Sequence, residues 1–176
     1  MRYRAYARHN FQTLPTHGRL TPEQVESISI VSEVLPFKTN NYVVNELIDW
    51  ENYEEDPIFI LNFPQKTMLS ASQYKTLAMM IGNNVPKADV AKYVSEVRLK
   101  LNPHPAGQLD HNVPTLNGKK LTGIQHKYNE TMLFFPTQGQ TCHAYCTFCF
   151  RWPQFTGQSE MKFAMNQAGL LTAYLK

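Results

Sequence analysis

The segment Cys142-His143-Ala144-Tyr145-Cys146-Thr147-Phe148-Cys149 contains all three cysteines of the 176-residue sequence. Its spacing, C-x3-C-x2-C, allows one loop to present three thiolates to a single metal centre. Thiolate sulfur is a soft ligand that suits iron–sulfur clusters, zinc and cuprous copper. Three thiolates on a 4Fe–4S cluster leave one iron without a protein ligand, and a small molecule with an amine and a carboxylate can chelate that iron. The segment therefore predicts a metal centre with an open coordination position.

Two other interpretations of the cysteines were weighed. A structural zinc site would need a fourth ligand, which His143 or His126 could supply. Zinc sites more often combine two Cys/His pairs separated by a loop, and the sequence has no second pair. A disulfide would leave one cysteine over, and nothing in the sequence suggests an oxidising compartment. An iron–sulfur cluster is the favoured interpretation, and a non-catalytic zinc- or cluster-binding module stays open as the alternative.

The flanking residues extend the motif in both directions. Gly123-Ile124-Gln125-His126-Lys127-Tyr128 precedes the apolar run Met132-Leu133-Phe134-Phe135, and Phe150-Arg151-Trp152-Pro153-Gln154-Phe155-Thr156-Gly157-Gln158-Ser159 follows the cysteines. Phe148 stands directly before the third cysteine, as an aromatic residue does in the cluster motif of radical S-adenosylmethionine enzymes. Together these segments resemble the lysine 2,3-aminomutase family of those enzymes. The resemblance covers most of the chain, with its specific residues between about Val113 and Ser159.

This resemblance implies a 4Fe–4S cluster on Cys142, Cys146 and Cys149, with S-adenosylmethionine bound to the open iron. In such enzymes a 5′-deoxyadenosyl radical formed from S-adenosylmethionine abstracts hydrogen from the substrate. The resemblance also implies that Phe148 lies near the adenine and that Arg151 binds the carboxylate of an amino-acid substrate, which a planar guanidinium can hold through two hydrogen bonds. The alternative for Arg151 is an ordinary surface arginine. The implied reaction is a 1,2-amino shift, catalysed by an isomerase.

The same resemblance places Lys127 and Tyr128 where family members contact the phosphate and the ring of pyridoxal phosphate. A cation and a flat aromatic face suit such a ligand. Thr131 stands where the family usually has a second phosphate-binding arginine, so the chain has one cation fewer for the phosphate. A radical S-adenosylmethionine enzyme of the same lineage that works without pyridoxal phosphate is therefore an alternative. The alternative for Tyr128 is an aromatic core residue at a strand edge.

Helical periodicity dominates the N-terminal part of the chain. Thr21-Pro22-Glu23-Gln24 combines a capping hydroxyl with proline at the first helical position, which predicts a helix that continues until Pro36. Further helices are predicted from about Asn40 to Trp50, burying Tyr42, Val43, Leu47 and Ile48, from Ser70 through Ile81, and from Pro86 or Lys87 to Leu101.

The pattern changes after these helices. From Asn102 to Gly118 proline, glycine, histidine and asparagine accumulate, which predicts a linker over the surface. Thr131 to Phe135 predicts a short buried strand, and a helix is predicted from Ser159 or Glu160 to Leu175. Strand, cysteine loop and helix would form the first βα unit of a barrel. In such folds the chemistry lies in the loops after the strands.

We therefore expect an α/β protein with two regions. Residues 1–118 are the expected helical N-terminal region with its linker, and residues 119–176 the expected start of a radical S-adenosylmethionine partial (βα) barrel with the cluster loop. The resemblance also leads us to expect further βα units beyond Lys176 in a complete enzyme. On that expectation the chain is an N-terminal, truncated portion that is inactive by itself.

Composition narrows the classes of partner. A hydrophobic content of 43% and a charged content of 18% are typical of a globular protein. The net charge of +3, without a dense Lys/Arg stripe, argues against nucleic acid. The apolar runs are shorter than a membrane span, and the basic N-terminus lacks the apolar core of a signal peptide. The expected partner is a small-molecule amino acid, the expected location is the cytoplasm, and a homo-oligomer stays open.

Overall fold

The computed structural model describes residues 2–101, 109–137, 142 and 163–176. The chain divides into two compact units, one that ends at Leu101 and one that begins at Asn102, and Cys142 is grouped with the first. The described residues combine helices with three small antiparallel sheets of two strands each, and they form no closed barrel. None of the helices in these residues has the length and apolar character needed to cross a lipid bilayer. The coarse prediction of mixed helices and strands is confirmed, and the barrel stays a prediction.

The first helix, α1 (Pro22–Val31), begins where the sequence predicts. The Thr21 hydroxyl accepts a hydrogen bond from the backbone amide of Gln24 at 3.2 Å. The side-chain oxygen of Gln24 accepts one from the backbone amide of Thr21 at 2.8 Å. This reciprocal capping box satisfies amide groups that a helix start leaves without partners. The helix ends at Val31, earlier than the predicted end at Pro36, and residues 32–34 continue as turns. Leu35 precedes Pro36, and the residue before a proline avoids the helical region.

The predicted second helix is wrong in extent. Lys38–Asn40 forms strand β2, and the helical part is a π-helix at Val43–Leu47. Two of the predicted core residues, Tyr42 and Leu47, are exposed. The reason is local, because the Asn40 side chain accepts hydrogen bonds from the two amide groups that begin the turn. The chain therefore passes directly from β2 into one helical turn, which is too short to bury residues on several sides.

Three more helices belong to the first unit: α2 (Pro57–Asn62), α3 (Ala71–Gly82) and α4 (Lys87–Leu101). The side chains of Asp56 and Ser70 cap α2 and α3, each accepting a hydrogen bond from the amide three residues further on. The predicted starts of α3 and α4 are confirmed, whereas α2 was not predicted. Short 3₁₀ turns lie at Phe11–Thr13, His17–Arg19 and Lys66–Met68.

Aromatic side chains fill the centre of the first unit. Phe59 and Phe63 stack with ring centroids 4.7 Å apart, and Phe37 lies 5.0 Å from Phe63. A short strand, β1 (Ala5–Ala7), pairs antiparallel with β2 and contributes buried Tyr6 to the same core. The buried residues of this core are Tyr6, Phe11, Leu14, Leu20, Ile28, Phe37, Val43, Val44, Ile48, Phe59 and Phe63.

Arg98 joins α4 to the turn after α1. Its Nε and Nη2 atoms donate hydrogen bonds to the carbonyl oxygens of Val34 at 2.8 Å and Glu33 at 2.9 Å. A helix end leaves carbonyl groups without intrahelical partners, and a cation is a suitable donor for them. Burial lowers the pKa of Arg98, and the nearby Glu33 carboxylate opposes this shift. The guanidinium stays charged because its ordinary pKa lies far above neutral pH.

The second unit contains a hairpin that the sequence analysis did not predict. Strands β3 (Thr115–Leu116) and β4 (Lys119–Lys120) pair antiparallel and are joined by Asn117 and Gly118, whose φ angles are 51° and 74°. Positive φ at both central residues is the type I′ geometry, and Asn-Gly is a strong sequence signal for it. The composition of residues 102–118 predicts a linker here, and the hairpin corrects that prediction for residues 115–118.

A second hairpin pairs β5 (Ile124–Tyr128) with β6 (Thr131–Phe134) in antiparallel orientation. The predicted strand is present, but its predicted burial is wrong, since Thr131 and Leu133 are exposed. Met132 and Phe134 alternate with them and pack on the small core. The hairpin has one packed face and one solvated face, as antiparallel sheets commonly do.

The C-terminal helix, α5 (Ala168–Tyr174), begins later than predicted. Residues 163–167 are not helical, and the predicted start at Ser159 or Glu160 lies outside the described residues. Phe163 is fully buried. The core of this unit comprises buried Leu121, Ile124 and Met165, with partly buried Leu116, Met132, Phe134, Leu170, Leu171 and Tyr174 packed against it.

We expect Arg98→Met to lower the free energy of unfolding by about 1–3 kcal/mol, because two turn carbonyls lose a charged donor. Urea denaturation followed by far-ultraviolet circular dichroism measures the change. Lys100→Met alters an exposed position of the same helix and is the matched control, with an expected change below about 0.5 kcal/mol. Equal losses in the two variants would contradict the role of Arg98.

Candidate functional site

One of the three predicted cluster ligands lies in the described part of the chain. Cys142 is exposed and so accessible from solvent. Cys146, Cys149, Phe148 and Arg151 lie outside the described residues, and their roles stay predictions. Among the described residues, no group of three or more His, Cys, Asp or Glu side chains is arranged to hold a metal ion.

The described residues on either side of the cysteine segment are hydrogen-bonded to each other. The Met165 amide donates to the Phe135 carbonyl at 3.0 Å, and the Thr137 amide donates to the Met165 carbonyl at 3.0 Å. This pairing is parallel, with Pro136 opposite Met165. The Phe135 and Phe163 rings pack edge to face, 5.4 Å apart. We call these two stretches, Phe135–Thr137 and Phe163–Met165, the loop base, because in sequence the cysteines lie between them.

Gly123 lies directly against the loop base. Its φ is +102°, and a Cβ atom added to it would lie 2.6 Å from the Met165 nitrogen and 2.7 Å from the Ala164 carbonyl carbon. Its carbonyl accepts a hydrogen bond from the Phe135 amide at 2.8 Å. Both the backbone conformation and the close approach require glycine. Gly123 has no role in the sequence-based prediction, although a glycine next to a strand pattern can mark a close approach of two backbones.

Lys127 and Tyr128, the predicted contacts for pyridoxal phosphate, lie at the end of β5. The Lys127 ammonium stands over the Tyr128 ring, 5.3 Å from its centroid. Tyr128 is 61% exposed, so it is not a core residue of the strand edge. Thr131, its partner across the hairpin, is exposed as well. The structure thus brings together a cation, an aromatic face and an uncharged residue at a solvent-exposed hairpin end.

His126, one candidate for a fourth zinc ligand, contacts the C-terminal helix. Its Nδ1 atom contacts the Tyr174 hydroxyl, and the two rings are nearly perpendicular with centroids 5.5 Å apart. Its amide donates to the Asn112 carbonyl at 2.8 Å. These contacts join β5 to α5 and to the turn before β3. The other candidate ligand, His143, lies outside the described residues.

Comparison of the chain with protein-family models, with curated proteins and with solved structures found no match. Its function therefore has to be argued from the cysteine motif and from the geometry around it.

We expect Tyr174→Phe to loosen the second unit locally, because it removes the hydroxyl that contacts His126. The loss of about 1 kcal/mol should make the β5 amide groups exchange about fivefold faster with solvent deuterium. Tyr128→Phe removes a hydroxyl from an exposed tyrosine of the same unit and is the matched control. Unchanged exchange in Tyr174→Phe would show that the hydroxyl contact contributes no stability.

Proposed function

We propose that the chain is a radical S-adenosylmethionine protein whose 4Fe–4S cluster is held by Cys142, Cys146 and Cys149. The observation that carries the proposal is the C-x3-C-x2-C spacing, which uses every cysteine of the sequence. The donor set fits, because thiolates are the ligands that such clusters take and Cys142 is exposed. The loop base supports the same proposal, since it holds the flanks of the cysteine segment side by side.

In this proposal the substrate is an amino acid and Arg151 holds its carboxylate. A guanidinium offers two parallel N–H donors, which match the two oxygens of a carboxylate. Phe148 would lie near the adenine of S-adenosylmethionine when that molecule is bound. When bound, the cluster and S-adenosylmethionine together supply a radical that abstracts hydrogen. The residues of this chain bind and orient the two small molecules and exclude competing reactions.

The reaction that we propose is a 1,2-amino shift, as in an amino-acid 2,3-aminomutase. Lys127 and Tyr128 support a pyridoxal phosphate contact, because the exposed ammonium can pair with a phosphate and the ring offers a flat face. Phe150 and Trp152 flank Arg151 in the sequence and carry no charge. Apolar neighbours of Arg151 give a second charged group of the substrate no polar partner, which favours an amino acid other than lysine as the substrate.

One observation favours a second candidate, a radical S-adenosylmethionine enzyme of the same lineage that does not use pyridoxal phosphate. At the end of the hairpin Thr131 pairs with Tyr128 and offers no charge. The turn between the strands contains Glu130, an exposed acid that repels a phosphate. The same hairpin end thus carries the Lys127 cation and, three residues further along the sequence, an acid of opposite charge. A phosphate gains little net attraction at such an exposed site.

We also place the protein in a reducing compartment, the cytoplasm. Three cysteines within one short segment would form disulfides readily in an oxidising compartment, and their thiolates would then be lost as cluster ligands.

Anaerobic reconstitution with iron and sulfide should give a brown, oxygen-sensitive protein with about four irons per chain. Cys142→Ala, Cys146→Ala and Cys149→Ala should each abolish iron uptake, because the sequence has no other cysteine to replace the lost thiolate. Iron and sulfide analysis with visible absorption spectra measures the result.

The control for this experiment is His143→Ala, which removes a possible zinc ligand and should leave the iron content unchanged. If the chain instead binds zinc stoichiometrically, takes up no iron and loses the zinc in His143→Ala, it is a zinc-binding module and the proposal is overturned.

Pyridoxal phosphate should bind the chain only weakly, because the hairpin end combines the Lys127 cation with the Glu130 acid. Glu130→Gln should strengthen binding of pyridoxal phosphate and Lys127→Met should weaken it, each through the charge that it changes. Absorbance titration measures the affinities, with Lys119→Met, on strand β4, as the control cation. A yellow colour that the unaltered chain retains through dialysis would contradict weak binding.

A further inference from the structure

The geometry at the loop base points to one further role: we infer that Gly123 is a positioning residue for cluster assembly, acting through the backbone of Ala164 and Met165. The inference rests on the proposed function and extends it to a residue outside the cysteine segment. It requires that the loop base forms before the cluster binds and that Gly123 allows it to form.

The backbone contacts place Gly123 within one continuous hydrogen-bonded unit. The Gly123 carbonyl accepts from the Phe135 amide, and the Phe135 carbonyl accepts from the Met165 amide. The Met165 carbonyl in turn accepts from the Thr137 amide. Phe135 therefore hydrogen-bonds both Gly123 and Met165, whose backbones also lie against each other. A displacement at Gly123 would be transmitted to the pairing that joins the two flanks of the cysteine segment.

The absence of a side chain at Gly123 is what allows the two backbones to approach. A Cβ atom there would lie 2.6 Å from the Met165 nitrogen, a distance at which one of the two backbones must move. The neighbouring atoms belong to the backbone of Ala164 and Met165, and not to a flexible side chain that could turn away. The Met165 nitrogen is the same atom that donates to Phe135. The Cβ atom of an alanine would thus displace the Met165 nitrogen, which donates a hydrogen bond of the loop base.

Cluster binding depends on this arrangement for an entropic reason. Three thiolates on one segment must reach one cluster at the same time, and the chain loses conformational freedom when they do. If the flanks of the segment are already joined, part of that loss has occurred before the cluster binds. A variant that separates the flanks should therefore bind the cluster less well, even with every cysteine present.

Gly118 provides a matched control within the same unit. Its φ is +74°, so alanine is strained there as well, but a Cβ atom at Gly118 would have nothing within 4 Å. Gly118→Ala therefore measures the free-energy cost of placing alanine at positive φ. Gly123→Ala measures that cost together with the clash between the new Cβ atom and the backbone of Ala164 and Met165. A difference between the variants reports the close approach to the loop base.

The experiment compares the unaltered chain, Gly118→Ala and Gly123→Ala after anaerobic reconstitution with iron and sulfide. Iron per folded chain should fall at least about threefold in Gly123→Ala. In Gly118→Ala the iron per folded chain should differ from that of the unaltered chain by no more than about one fifth, since no neighbouring atom is displaced. Hydrogen exchange on the chains without cluster supplies a second readout: the Thr137 and Met165 amides should exchange faster in Gly123→Ala alone.

The outcomes separate the two proposals. If the unaltered chain takes up no iron, the proposed function fails, and the inference fails with it. If the unaltered chain takes up iron and Gly123→Ala takes up as much per folded chain, the inference alone is overturned. Slower cluster assembly with unchanged exchange at Thr137 and Met165 would also overturn it, because the effect would not pass through the loop base.

A second pair of variants covers the case in which Gly123→Ala does not fold. Phe163→Ala removes a fully buried ring from the loop base, and Phe11→Ala removes an equally buried ring from the first unit. Both should lower stability, but only Phe163→Ala should lower the iron content per folded chain. Equal iron content in these two variants would overturn the inference.

Discussion

The pairing of Met165 with Phe135 and Thr137 is the constraint on which the loop base depends, and it consists of two backbone hydrogen bonds. They join residues on either side of the cysteine segment, and joining the ends of a segment of this length costs on the order of 3 kcal/mol in chain entropy. Two backbone hydrogen bonds contribute about 1 kcal/mol each, which does not offset that cost. Burial of Phe163 and Met165 contributes about 1.5–3 kcal/mol per side chain and makes the pairing favourable. The loop base is therefore stable because its hydrogen bonds and its apolar side chains form together.

The parts of the fold that the sequence predicts well are those decided by neighbouring residues. The starts of α1 and α3 are examples, because Thr21 and Ser70 each hydrogen-bond an amide three residues away. Burial was predicted less well, since it depends on partners distant in sequence. Tyr42 and Leu133 are apolar residues in periodic positions, yet both are exposed. The Asn-Gly turn at residues 117–118 is a different case, because its signal is local and was overlooked.

The candidate site also combines features decided by neighbouring residues with features that depend on residues distant in sequence. The cysteine spacing can be read in one segment, so the predicted ligand set needs no tertiary information. The crowding at Gly123 cannot be read in this way, because the atoms that crowd it belong to Ala164 and Met165, far along the chain. Lys127 and Tyr128 are predicted as separate contacts for the phosphate and the ring of pyridoxal phosphate, and the structure shows in addition that they contact each other. That the pair is exposed at a hairpin end follows from the β5–β6 register, which the sequence analysis did not predict.

The two units differ in what stabilises them, and this difference bears on metal binding. The first unit has an extended aromatic core and a cation, Arg98, on the turn after α1. The described part of the second unit has a smaller core, centred on Leu121, Ile124 and Met165. Small cores give little net stability, and small domains often gain the remainder from a bound metal. A ligand that binds only the folded state shifts the folding equilibrium in proportion to its affinity. The proposed cluster, on the segment between the two halves of the loop base, would therefore stabilise the pairing that favours its own binding, and formation of the loop base and cluster assembly would then be one coupled equilibrium.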